Sequence, residues 1–306
     1  MEHQARALVN DVGAQWQWED AYGVPLSMHY VVANLTSQVS GRQWVAMRST
    51  TADRARKLTV LEAGSDGDFD QKVDCEAYDG PLTLERREGV WGDWLPDGSA
   101  LLHCTESSFG WSEEGILEVS GTLVGTPPRL YVPNPEVPFA WTTRWFAVTG
   151  TIDGEAVAGS AIFASVNLPT GQPLVPSPYT SEYQIAWCDF CTEFEDGTAE
   201  TGLLLWGNNG FAAACVQHSD GSVLATAEVT AKAEFDQGAP AFPAVVTFSA
   251  AGEAFVWEAQ EKGGRWPLRP DVAEDYRLIQ GSVRREGEQR VVRRAFAYIE
   301  GYEGRF

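Results

Sequence analysis

Histidine is scarce in this chain of 306 residues. His3, His29, His103 and His218 are not spaced to share a metal ion, and no His-Glu-x-x-His occurs. The common pattern of a zinc hydrolase is therefore missing. No Gly-x-Gly-x-x-Gly or phosphate loop stands between a strand and a helix, and no Gly-x-Ser-x-Gly elbow is present. Nucleotide cofactors and serine-nucleophile chemistry have no support, and no cofactor and no metal are expected. Positive charge is also short: 22 Lys and Arg stand against 43 Asp and Glu, for a net charge of −21. Such a surface repels nucleic acid and anionic lipid. No run approaches the ~18 apolar residues of a membrane span. Residues 1–20 have neither an apolar core nor a cleavage site of a signal peptide. The protein is expected to be soluble and cytoplasmic, without a membrane span.

Cysteine is limited to five residues, an odd number that suits a reducing compartment. Cys188 and Cys191 form a Cys-x-x-Cys, but on a strand that spacing sends the two thiols to opposite faces. With no second pair and no βα unit around them, they read as buried thiols. The acidic run Asp66-Gly67-Asp68-Phe69-Asp70 fails as an EF-hand, since its sixth and twelfth positions are Gln71 and Ala77.

Turn signals and aromatic residues are abundant. Asp97-Gly98, Asp153-Gly154, Asp196-Gly197 and Asp220-Gly221 separate short alternating apolar runs. Long segments of helical period are lacking, so the chain reads as an all-β protein of antiparallel sandwich or barrel type. Short helical turns are predicted over residues 51–57 and 270–276, and strands include residues 74–78. Trp16-Gln17-Trp18 opens the first half. Five prolines between residues 125 and 138 predict a stiff linker rather than a strand. The expected division is an N-terminal barrel over residues 1–126, a linker over 127–138 and a C-terminal barrel over 139–306. The hairpin pattern of residues 144–165 echoes that of residues 28–49, which suggests two domains of one architecture. Residues 168–178, another proline-rich loop, could act as a lid or as a packing segment between the domains. Twelve Trp and fourteen Phe suit both cores and apolar pockets.

The most informative stretch is residues 185–206, which reads as a hairpin about Asp196-Gly197, the pair that a two-residue type I′ turn favours. Pairing outward places Phe194 opposite Ala199, Phe190 opposite Leu203 and Cys188 opposite Leu205 on one apolar face. The other face then carries Trp187 opposite Trp206, Asp189 opposite Leu204 and Glu193 opposite Glu200. That second face is either the outer surface of a sheet or the wall of a ligand pocket with Asp189 beside aromatic surface.

Asp189-Phe190, followed by Glu193-Phe194-Glu195-Asp196-Gly197, resembles the Asp-Trp-Phe…Leu-x-Asp-Gly hairpin of the carotenoid hydratase and AttH-like family. Residues 297–302, Ala-Tyr-Ile-Glu-Gly-Tyr, resemble that family's closing strand. The resemblance implies two consecutive lipocalin-like antiparallel β-barrels, calycin-like in class. It also implies hydration of an isoprenoid double bond, or cyclisation of a polyene between the barrels as in pericyclases of this architecture. The segment Ser181-Glu182-Tyr183-Gln184 departs from the hydratases, lacking the histidine of their acidic motif.

Hydration needs an acid for the alkene, an aromatic wall for the cation and a base for the water. Burial in apolar surroundings keeps a carboxyl protonated at neutral pH. Asp189 is the leading acid, with Glu182 and Tyr183 as further catalytic candidates. Trp187, Trp206, Trp145, Tyr298 and Glu300 are the candidates for contact with a hydrophobic small molecule. The leading expectation is a cofactor-independent hydratase or cyclase acting on an isoprenoid- or polyketide-like substrate. The alternative is a non-catalytic carrier of such a ligand.

Overall fold

A computed structural model describes residues 6–9, 20–51, 53–72, 77–235, 242–267 and 275–306. Two antiparallel sheets form a half-barrel and a nearly closed barrel, which agrees with the all-β class expected from the turn spacing and with the two-barrel fold that the family resemblance implies. Among the described residues no helix is long and apolar enough to cross a membrane.

Among the described residues the first sheet has 14 strands and the second nine. The central order of the first runs Arg54–Ala63, Gln43–Thr51, Leu26–Ser37, Glu155–Asn167, Phe139–Ile152, Leu117–Val124. In the second, Gln184–Phe194 is flanked by Ala199–Gly207 and Val292–Tyr302, with Tyr276–Arg285 beyond the latter. Alternation along each strand serves two layers at once. On Leu26–Ser37, Val31, Ala33 and Leu35 enter the core of the first barrel, while Tyr30 and Val32 lie in the layer between the sheets. On Gln184–Phe194, Cys188 and Phe190 enter the second barrel, while Trp187 and Cys191 face the first sheet. The two cysteines are therefore on opposite faces, and both are buried.

Several local expectations change. The described residues of the predicted turn 51–57 are mostly strand: Gln43–Thr51 ends in it and Arg54–Ala63 begins in it. The proline-rich segment contains a strand, Pro128–Val132, which pairs with Phe139–Ile152. Pro128 is its first residue, where a missing N–H is tolerated. Phe139–Ile152 and Glu155–Asn167 belong to the first sheet, with Glu155–Asn167 next to Leu26–Ser37. The change of sheet therefore comes after Asn167, not within residues 127–138. The two hairpins that echo one another are neighbours in one sheet rather than counterparts in two. Trp16 and Trp18, most of the predicted turn 270–276 and most of the predicted strand 74–78 lie outside the described residues; Tyr276 itself opens a strand.

Candidate active site in the cleft between the sheets

The site depends on the register of one hairpin. Gln184–Phe194 pairs with Ala199–Gly207 so that Trp187 faces Leu205, Asp189 faces Leu203 and Glu193 faces Ala199. This differs by one residue from the pairing expected of a type I′ turn. The turn is a three-residue loop: Phe194 N–H donates to the Thr198 carbonyl at 2.9 Å, and Gly197 N–H donates to the Phe194 carbonyl at 3.1 Å. Gly197 alone in it is left-handed, at φ 84°. Asp196 Oδ1 accepts from the Thr198 N–H and hydroxyl at 2.9 and 2.6 Å, which favours this loop with its glycine bulge over the two-residue form.

A one-residue slip moves side chains to the other face. Trp206 is the casualty. It pairs with Ala186 and, half-buried, packs against the core of the second barrel, away from Asp189. Its assignment to the Trp187–Asp189 face is incorrect. Asp189 instead shares a face with Tyr298, which lies directly opposite on Val292–Tyr302, and Trp187 lies opposite Glu300. Leu278 follows opposite Glu300 on the next strand.

This face meets the outer face of the first sheet across a cavity of about 240 Å³. Tyr30, Val32, Met47 and Trp141 line it from the first sheet; Trp187, Tyr276, Tyr298 and Glu300 line it from the second. Leu174 and Val175, from the proline-rich loop after the sheet change, and Tyr179 complete the wall. Trp141 and Trp187 meet edge to face with ring centres 4.7 Å apart, and Tyr30 meets Trp141 at 5.3 Å. Phe139 stacks on Tyr179 at 4.8 Å.

Asp189 sits directly behind this wall and is fully buried. Its Oδ2 accepts from Trp187 Nε1 at 2.8 Å and from the Tyr298 hydroxyl at 3.3 Å. Its Oδ1 has no hydrogen-bond partner among the described residues. Burial pushes the carboxyl up to about 7; the Trp187 hydrogen bond opposes this, the Glu300 charge adds to it and the Tyr298 hydrogen bond opposes it. Tyr298 therefore touches both the carboxyl and the cavity. Its hydroxyl is also hydrogen-bonded with that of Tyr30, and burial raises both phenols well above their ordinary range. Glu300 accepts a close hydrogen bond from the Tyr276 hydroxyl. The arrangement can hold a proton on Asp189 at neutral pH and present it, through Tyr298, to an apolar space with π faces on its walls.

The remaining predicted residues are placed differently. Glu182 is exposed on the turn Tyr179–Tyr183. Tyr183, on the same turn, is buried with its ring centre 6.1 Å from Tyr179 and 6.2 Å from Phe211, and is not on the cavity wall. Trp145 lies between the sheets with its ring edge on Phe296 at 5.7 Å, deeper than the cavity. Sequence reasoning missed Tyr30, Trp141 and Tyr276. Tyr30 carried a signal, as an aromatic in the alternation of residues 28–35. Trp141 was obscured by its closeness to the prolines.

No protein-family model matches the sequence, and no curated protein matches it significantly. Solved structures do resemble it. CghA aligns over 98% of both chains at 13% identity and a TM-score of 0.39. Kievitone hydratase from Nectria haematococca aligns over 95% of this chain and 94% of its own, at 9% identity and a TM-score of 0.47. A protein provisionally named AttH from Nitrosomonas europaea aligns over 97% of this chain and 99% of its own, at 12% identity and a TM-score of 0.51. The chain thus has the fold of that AttH protein, the fold that the resemblance of its central hairpin and closing strand implies.

Proposed function

We propose that this protein is a cofactor-independent enzyme that hydrates or cyclises an apolar, isoprenoid- or polyketide-like small molecule in the cleft between the sheets. One observation carries the reading: a fully buried carboxyl, held only by neutral donors, stands behind an aromatic cavity and is joined to it by a tyrosine. In hydration, the Tyr298 hydroxyl gives its proton to an alkene carbon and takes the Asp189 proton in return. The carbocation so formed faces Trp141 and Trp187, whose π clouds attract it. Water adds to the cation and loses a proton to Glu300, and transfer of that proton back to Asp189 restores the site. In cyclisation the same walls hold a polyene in a folded conformer, and the gain comes from orientation. The shape of the wall also supports a carrier, since Asp189 stands behind Trp187 and Tyr298 rather than on the surface.

The test is incubation with an acyclic isoprenoid polyene in buffer free of cofactors, followed by mass spectrometry. The enzyme reading expects a product heavier by one water or an isomer of equal mass, formed about 10²-fold more slowly by Tyr298→Phe. Substrate that quenches tryptophan fluorescence but is recovered unchanged would establish the carrier instead.

A further inference from the structure

The wall that the first sheet gives to the cleft changes character along its length. Alternation puts Val45, Met47 and Ser49 of Gln43–Thr51 on the cleft side, and Leu61, Thr59 and Lys57 of Arg54–Ala63 on the same side. The register sets Val45 opposite Leu61 and Met47 opposite Thr59. One end of the wall is thus wholly apolar and packed among aromatics. The other ends in Ser49 and Lys57, which both line the cavity, with Lys57 exposed to solvent.

Most cations around Lys57 meet a carboxylate, and Arg56 donates to the Thr51 hydroxyl at 2.7 Å. Arg42 meets Glu62 and Glu155, Arg54 meets Asp79, and Lys72 meets Asp153. Arg48 also borders the cavity, but its guanidinium is committed to Glu113 inside the first barrel. Among the described residues, no carboxylate lies within ion-pair distance of Lys57. In a chain with a net charge of −21, an ammonium with no carboxylate partner among the described residues, at the edge of an apolar cavity, is a site of attraction for an anion. Its methylene stem can lie along apolar surface while the charged end stays in water. Glu300, the carboxylate on the facing wall, holds the Tyr276 hydroxyl.

From this we infer that the ligand of the cleft is an amphipathic organic acid. Its apolar body lies in the cavity against Trp141 and Trp187, and its anionic end is held by Lys57, with the Ser49 and Thr59 hydroxyls beside it. Lys57 is then a specificity residue that sets which end of the molecule enters. This rests on the reading of the cleft as the ligand site, and it is chosen so that the two can fail separately.

The experiment compares binding of decanoate and 1-decanol, two probes of equal chain length, by tryptophan fluorescence in wild type, Lys57→Met and Lys57→Glu. Decanoate affinity should fall about fivefold in Lys57→Met, the upper range for one partly exposed ion pair, and more than about tenfold in Lys57→Glu. Decanol affinity should stay within about twofold in both. Added salt should weaken decanoate binding in wild type only. Decanol binding with decanoate indifferent to Lys57 would overturn this inference and leave the cleft reading standing. Failure of both probes to bind the wild type would overturn both.

Discussion

Two buried carboxylates occupy matching local positions and have opposite surroundings. Trp111 and Glu113 stand two residues apart on one strand, as do Trp187 and Asp189 on another. In each pair the indole donates to the carboxylate at 2.8 Å. Glu113 also receives Arg48, through Nε at 2.7 Å and through Nη2. Asp189 receives a tyrosine hydroxyl instead, and its second oxygen is unpartnered among the described residues. A buried charge is tolerated when a cation and hydrogen bonds compensate it, and otherwise the group takes up a proton. One Trp-x-acid motif is therefore a clamp inside the first barrel, and the other is a carboxyl behind the cleft that burial pushes up to about 7. The difference lies in whether an arginine from another strand reaches the site.

The largest effect should come from breaking the clamp. Glu113→Gln leaves Arg48, which is 1% exposed, without its counter-charge, and the expected loss is about 3–5 kcal/mol of stability. Denaturant unfolding measures it, and turnover per folded molecule should be unchanged. Next is the pH dependence of stability. A free aspartate titrates near 3.8, and Asp189 in the folded protein near 7. The folded state therefore keeps a proton that the unfolded state has lost. The stabilisation is complete below the unfolded value, declines as pH rises and is gone above about 7, with a slope of about 1.4 kcal/mol per pH unit in between. Unfolding of wild type and Asp189→Asn at pH 5 and pH 8 checks the sign, since the variant lacks this slope.

Asp189→Asn should also lower turnover by about 10²-fold, or about 2.7 kcal/mol of transition-state stabilisation, while apolar ligands still quench tryptophan fluorescence. Unchanged turnover would remove Asp189 from the mechanism. Smallest of all, Glu182→Gln should change stability by less than about 0.5 kcal/mol and leave turnover alone, because the side chain is exposed and away from the cleft.

The comparison also marks what was legible in the sequence. Antiparallel β structure and the hairpin carrying Asp189 followed from alternation and turn residues. The register did not, because Asp196-Gly197 was read as a two-residue turn. The missing signal was the next residue. Asp97-Gly98-Ser99, Asp196-Gly197-Thr198 and Asp220-Gly221-Ser222 all direct the Asp side chain to the hydroxyl residue, and in each the Gly alone is left-handed. Asp153-Gly154, followed by Glu155, has both residues left-handed and is a true two-residue turn. Trp187 was identified as a cavity candidate on the hairpin itself, and Tyr298 and Glu300 on the segment that resembles the family's closing strand. Tyr30 and Trp141 were not, because the first sheet contributes them and no local pattern says which sheets will face each other. Likewise, periodicity could not show that Glu155–Asn167 pairs with Leu26–Ser37, more than a hundred residues earlier in the sequence.

The central claim is that neutral donors alone hold Asp189 and so leave it a proton near pH 7. Direct titration tests it most sharply: protein labelled with carbon-13 at the aspartate carboxyls, followed by NMR from pH 3 to 9, with the Asp189 resonance assigned by its loss in Asp189→Asn. The account predicts a midpoint near 7 for that resonance. A midpoint near the ordinary aspartate value of about 3.9 would contradict it.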